Sequence, residues 1–501
     1  MSDEGRRGGR QRPPARGRNA QHRSVQRPSQ RGRRTDVARL TAYTAMREVA
    51  QGAYANLALP TLLREKRVHG RDAGFATELV YGATRMSGLY DAIAAHAADR
   101  PVDKIDPRVL DTIRLGAHQL LGMRVPTHAA VDETVALARQ VNGAGASGFV
   151  NAVMRRISER SLEEWLDVVT AGADPLEALA LRTSHPLWVA KALRAALIGH
   201  GRATTENVDA ELGRLLESDN APAKVSLAAR PGLASVAELV DAGAVASTTS
   251  PVGAVLPEGD PGAIPAVREG RAAVQDEGSQ LVALGVATAE AGQDAITSER
   301  WLDLCAGPGG KAGLLASIAV QRRIPFVANE VNKTRAQLVR QTLTAATAAA
   351  DAAGSTIEVR HGDGREIGEA SPAAYSRILI DAPCTGLGAL RRRPEARWRR
   401  SPRDVAALAG LQRELLASGI EATMPGGVIG YATCSPHLNE TRFVVQDVLK
   451  KRDDVELVDA RPVFLDAEGA VLPELGEGPY VQLWPHVHGT DAMFFALLRK
   501  R

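Results

Sequence analysis

Three cysteines, Cys305, Cys384 and Cys434, are all that 501 residues contain. So few cannot build a disulfide framework, and none lies in a CxxC pair, so no structural zinc is expected. Apolar runs are short. None approaches the roughly 18 residues needed to span a bilayer, and no apolar leader follows the charged N-terminus. The expectation is a cytoplasmic protein without membrane or metal. Aromatic residues make up only 4% of the chain, which favours helices and small side chains in the core. Acidic residues are nearly absent from residues 1–34, where eleven arginines face only Asp3 and Glu4. The rest of the chain is therefore net negative. Segment 1–34 has too few apolar residues to bury a core and is expected to be disordered. Its arginines suit a non-specific RNA-binding arm, or simply a solubilising tail.

The chain is too long for one compact core, and its patterning divides it. From 35 to 165 apolar residues recur at helical spacing, as in "DVARLTAYTAMREVA" and "PRVLDTIRLGAHQLLGM". This predicts an all-α domain. Signals mix over 174–271, where "HPLWVAKALRAAL" reads as helix and "AKVSLAAR" as strand, giving a small α+β subdomain. From 272 to 501 strands and helices alternate. Candidate strands are "RWLDLC", "PFVANEV", "TIEVRHGD", "RILIDAP", "GVIGYATCS", "VELVDA" and "AMFFALLRK". That alternation predicts a mostly parallel α/β sheet, whose ligands bind at the carboxyl ends of its strands.

The chemistry-bearing residues fall at those ends. "LDLCAGPGGKAGLL" is a strand, a glycine loop and a helix start. Gly307, Gly309 and Gly310 let backbone approach a ligand, and the helix N-terminus favours an anionic group. The spacing is not that of a P-loop. The bland alternative is a tight structural turn. Glu330 ends the next strand, where an acid can accept from ribose hydroxyls, or is merely exposed. Asp363 ends the third and suits an adenine amino group. Loop, Glu330 and Asp363 arrive in the order of an S-adenosylmethionine site. Asp381 and Cys384 end a fourth strand in "DAPCTGLG", and Cys434 a fifth in "ATCSP". Either cysteine alone would read as a small buried hydrophobe. Two beside prolines at strand ends read as chemistry. A thiolate adding to cytosine carbon 6 makes carbon 5 nucleophilic enough to take a methyl group, and Asp381 is placed to hydrogen-bond the base. The residues leave open which thiol attacks. The arginine-rich segment Arg391–Asp404, with Trp398, reads as a platform for RNA phosphates and bases, or as a solvated helix start. His185, His361 and His437 have no metal-ligand spacing and are read as structural or exposed.

"DLCAGPGGKA", "DAPCTGLG", "RRRPEARWRR" and "YATCSPHLNE" resemble the motifs of the RsmB/Fmu (Sun) family of RNA 5-methylcytosine methyltransferases. "RDAGFATELVYGATR" and "GFVNAVMRRI" resemble the NusB-like RNA-binding domain. The likeness covers about 35–501. It implies an all-α NusB-like domain at 35–165 and a Rossmann-like S-adenosylmethionine-dependent methyltransferase domain at 272–501. The implied reaction is 5-methylcytosine formation in 16S, small-subunit rRNA, by a monomer. Cys305, Ala306, Gly307, Pro308, Gly309, Gly310 and Lys311 match the cofactor loop. Glu330, Asp363 and Asp381 match the acids of the cofactor and base pocket. Cys434 matches the nucleophile and Cys384 the second cysteine, which assists product release. The departures are Gly307 and Ala312 in a loop that is commonly CAAPGGKT, and Glu330 where Asp is commoner. The competing expectations are a DNA cytosine methyltransferase with Cys384 as nucleophile, the same chemistry on another RNA, and a catalytically silent RNA-binding protein.

Overall fold

The computed structural model describes residues 35–501, except 293, 294, 296 and 298. The arginine-rich tail expected to be disordered lies outside the described residues. The helical periodicity that follows becomes helices running from Val37–Ala50 to Leu162–Val169. Side chains fix their starts. The Asp36 carboxylate accepts from the Arg39 N–H at 2.8 Å, Asp106 caps a helix that begins with Pro107, and Ser161 with Glu164 closes a capping box. Leu89, Ile93, Ile113, Met154 and Trp165 share one core, and Leu59, Leu79, Leu115 and Leu137 another.

Three further helices, Pro175–Arg182, Leu187–Gly199 and Val208–Asn220, form a bracket between the two ends of the chain. Their core takes in Leu387, Leu390 and Trp484 from the catalytic part. A small antiparallel sheet follows, in order β2-β3-β1-β4, from β1 (Val225–Ala229), β2 (Val245–Ala246), β3 (Gly253–Leu256) and β4 (Ala272–Val274). The expected boundary at 271 is corrected here. Ala272 pairs with Ala229, and Val274 with Leu227, so this stretch closes the small sheet instead of opening the catalytic domain. A three-residue strand is too short for its alternation to register in sequence.

The large sheet runs β10-β12-β9-β8-β5-β6-β7. Its strands are β5 (Trp301–Asp303), β6 (Phe326–Glu330), β7 (Ile357–His361), β8 (Tyr375–Asp381), β9 (Thr423–Thr433), β10 (Val455–Val458) and β12 (Phe494–Lys500), with β11 (Val481–Gln482) beside β12. Strands β5 to β9 pair in parallel, and β12 is antiparallel to β9 and β10. Separate apolar cores flank the sheet, one around Leu314, Phe326 and Phe495, the other around Leu304, Leu416 and Tyr431. The strand order reverses between β5 and β8, and such a switch point opens a crevice at the strand ends. No helix among the described residues is long and apolar enough to cross a membrane.

Candidate active site

The glycine loop joins β5 to the helix Gly310–Gln321. Two backbone bonds pin it to neighbouring strands, Leu304 N–H to the Leu379 carbonyl and Ala306 N–H to the Asn329 carbonyl, both at 2.8 Å. Gly309 has φ +118°, which a side chain would strain. Gly307 touches the next strand end. Its N–H donates to Glu330 Oε2 at 3.1 Å. The other Glu330 oxygen accepts from the Asn332 N–H at 2.8 Å and pairs with Arg335 at 2.9 Å. Asp363 also stands at the rim, where the Arg365 guanidinium holds its carboxyl below the usual range.

Both cysteines lie two or three residues beyond paired strand ends, since Asp381 of β8 faces Ala432 of β9. Their Sγ atoms are 3.4 Å apart. Asp381 Oδ2 lies 2.8 Å from Lys311 Nζ. Burial opposes the Lys311 charge most, but Asp381, Cys434 and Asp303 together outweigh it and hold the ammonium above its usual range. Donation from the Cys384 thiol holds Cys434 below the usual thiol range, against burial and the Asp381 charge, with help from Lys311 and Arg393. Cys384 shifts the opposite way: its bond to Cys434, burial and the nearby Glu440 and Asp381 keep it protonated. Burial, then the Asp303 charge, also push Cys305 well up, so it stays a protonated thiol on the cleft wall.

Two contributors went unrecognised in the sequence. Glu440 is buried beneath both cysteine loops. It accepts from the Thr385 N–H and hydroxyl at 2.8 and 2.5 Å, and from the Ser435 hydroxyl at 2.7 Å. Its signal was an acid six positions after Cys434, in "CSPHLNE". Asn329 was signalled by a polar residue in the strand "FVANE". Its Nδ2 donates to the Leu304 and Gly362 carbonyls at 3.0 and 3.1 Å. Its Oδ1 is buried without a hydrogen-bond partner, and the residue borders the cleft.

The arginine-rich segment corrects another expectation. The sequence suggests an RNA platform or a solvated helix start, yet most of its guanidinium groups are occupied by protein. Arg392 pairs with Asp276 at 2.6 Å and Asp491 at 3.2 Å, and Arg391 donates to the Gly489 carbonyl at 3.0 Å. Arg399 donates to the carbonyls of Val49, Gly52 and Ala53, closing off a helix end. Arg397 is fully buried and donates to the carbonyls of Arg85, Ser184 and Asp219 and to Asn220 Oδ1. Trp398 lies against Gly88, where a Cβ would stand 2.1 Å from the indole. The segment fastens the catalytic part to the helices because buried acids and carbonyls neutralise its charges. His185 is buried too, 3.8 Å from Asp219, and structural as expected.

Cys305 and Gly307 of the glycine loop share one cleft of about 620 Å³ with Glu330, Asp363, Asp381, Cys384 and Cys434, whereas Ala306, Pro308, Gly309, Gly310 and Lys311 are not on its wall. It fits a nucleoside-bearing cofactor. Glu330, Asp363 and Asp381 on its wall offer acceptors for hydroxyl and amino groups, beside the Gly307 backbone that lacks a side chain. Fold and cleft together define a Rossmann-like S-adenosylmethionine-dependent methyltransferase.

Known proteins agree. Residues 294–499 match the family model described as 16S rRNA methyltransferase RsmB/F, and residues 36–159 that of the NusB family. The Mycobacterium tuberculosis protein Rv1407 is 49% identical over 476 residues, covering 94% of this chain and 98% of its own. The ribosomal RNA small subunit methyltransferase B of Pseudomonas putida is 32% identical over 472 residues, covering 92% and 98%. The crystal structure of PH0851 shares the fold, with a TM-score of 0.73 over 92% of this chain and 97% of that one, at 19% identity. The chain belongs to the RsmB/F family of rRNA methyltransferases and carries that family's methyltransferase domain behind a NusB-type helical domain.

Proposed function

We propose that this enzyme forms 5-methylcytosine in 16S, small-subunit ribosomal RNA through a covalent bond between Cys434 and cytosine carbon 6. The observation that carries this reading is the pair of thiols 3.4 Å apart beside the Lys311–Asp381 pair. S-adenosylmethionine, when bound, supplies an electrophilic methyl group. The loop from Cys305 to Lys311, with Glu330 and Asp363, would hold it. The target base must leave its stack, because the thiolate approaches carbon 6 from the ring face. Cys434 adds to carbon 6 and shifts electron density onto carbon 5 and the ring nitrogen. Asp381 accepts from the exocyclic amine, and the ammonium of Lys311 offsets the charge growing on the ring. After carbon 5 is methylated its proton must leave. Water in the cleft takes that proton, and the Cys384 thiol donates to Cys434 Sγ as its bond to carbon 6 weakens, assisting release of the product. The carbon 6–sulfur bond then breaks and restores the Cys434 thiolate. One chain supplies every group, so a monomer suffices, and unmodified rRNA in the cytoplasm, free or in early assembly, is the substrate that offers an accessible base.

Wild type, Cys384→Ala and Cys434→Ala are incubated with S-adenosylmethionine and either unmodified small-subunit rRNA or DNA of the same sequence. The expected result is methyl transfer to RNA by wild type, an inert Cys434→Ala without adduct, and a Cys384→Ala variant that accumulates protein–RNA adduct on a denaturing gel. Adduct from Cys434→Ala, with Cys384→Ala inert, would reverse the two roles. Transfer to DNA alone would overturn the substrate.

A further inference from the structure

Resting on the RNA reading above, we infer that Arg393 and Arg400 grip the RNA phosphates flanking the target cytidine, and that Tyr54 of the helical domain positions Arg393 for this. Their neighbours Arg391, Arg392, Arg397 and Arg399 are all bonded within the protein. Arg393 and Arg400 line the cleft together with Cys434. Among the described residues neither guanidinium has a hydrogen bond or a salt bridge. Arg393 instead stacks against the Tyr54 ring, 5.0 Å from its centroid.

That contact is built to last. Arg399 faces the same ring at 5.6 Å and bonds to the carbonyls of the Val49–Ala53 stretch. On the far side, the Glu395 carboxylate accepts from the Ala55 N–H at 3.3 Å. The residues on either side of Tyr54 are thus both bonded to the arginine-rich segment, and Tyr54 itself lines the cleft. A ring face orients a guanidinium without consuming any of its N–H donors. The planar fork of Arg393 stays free for a bidentate anion. An extruded nucleotide brings its two flanking phosphates to the cleft mouth with its base. The RNA site is therefore completed by a residue from the helical domain.

The full-length chain, unmodified small-subunit rRNA and S-adenosylmethionine test this. RNA binding is titrated against salt, and cofactor binding is measured by calorimetry. Arg393→Gln and Arg400→Gln are each expected to weaken RNA binding roughly tenfold. Each should also flatten the slope of log affinity against log salt by about 1, as loss of one phosphate contact requires. Cofactor affinity should stay unchanged. Tyr54→Ala should reproduce the Arg393→Gln defect and Tyr54→Phe should restore it, since only the ring face is used. Unchanged RNA affinity and salt slope in Arg393→Gln would overturn the inference. So would a loss of cofactor affinity in its place, which would assign Arg393 to the cofactor carboxylate. If Tyr54→Ala fails to fold, the arginine variants still decide. If wild type binds the RNA but transfers no methyl group, the proposed reaction falls while the phosphate grip is judged on binding alone.

Discussion

Single side chains at the glycine loop and the neighbouring strand end explain why two departures from the common family pattern occur together. Where the loop is commonly alanine, this chain has Gly307; where the acid is commonly aspartate, it has Glu330. A Cβ on Gly307 would stand 2.2 Å from Glu330 Oε2. Glu330 cannot simply swing away, because Gly307, Asn332 and Arg335 hold it. The longer acid and the missing methyl are therefore one adjustment. Gly307→Ala is expected to weaken S-adenosylmethionine binding by roughly tenfold, the cost of a lost charge-assisted hydrogen bond. Glu330→Asp should relieve that loss in the double variant. Calorimetry on the four proteins of the cycle gives the coupling energy, and simple additivity would show the two positions to be independent.

At the scale of elements, strands β5 to β9 were legible because each apolar run stops at a polar or charged residue. Asp303, Glu330, His361, Asp381 and Thr433 mark those ends. Parallel pairing then brings Cys384 and Cys434 together across fifty residues of sequence. Less could be read where partners were distant. The three residues of β4 pair with a strand some forty positions earlier. Nothing local in "RRRPEARWRR" separates arginines bonded to Asp276 or Ser184 from those facing the cleft. Glu440 escaped notice for the same reason, since its partners Thr385 and Ser435 converge only in the fold. Glu440→Ala would strip an acceptor from the Thr385 N–H and from two hydroxyls. The expected loss is on the order of 3 kcal/mol in urea unfolding, with adduct formation slowed and cofactor affinity kept. Unimpaired adduct formation would show that the loops hold their geometry without it.

Across the whole molecule, the junction between helices and catalytic part contains a carboxyl with unusual titration. Asp219 is fully buried, neither of its oxygens has a hydrogen-bond partner, and burial pushes it up to about 7. Arg397 pulls the other way without overcoming that burial. A carboxyl raised in the folded state favours folding most below its unfolded value near 3.8, and loses that contribution as pH rises through about 7. Asp219→Asn keeps the neutral shape at every pH. Relative to wild type, its melting temperature should be similar at pH 4 and higher at pH 8, and parallel curves would refute the assignment. The neighbouring Arg397 carries a consequence for biosynthesis. Its carbonyl acceptors belong to Arg85, Ser184 and Asp219, from 312 to 178 positions earlier in the chain. N-terminal domains begin folding while translation continues. The helical domain and the three helices after it must therefore emerge from the ribosome with these carbonyls wet, and wait for much of the catalytic part to be translated before the side chain that seals them arrives.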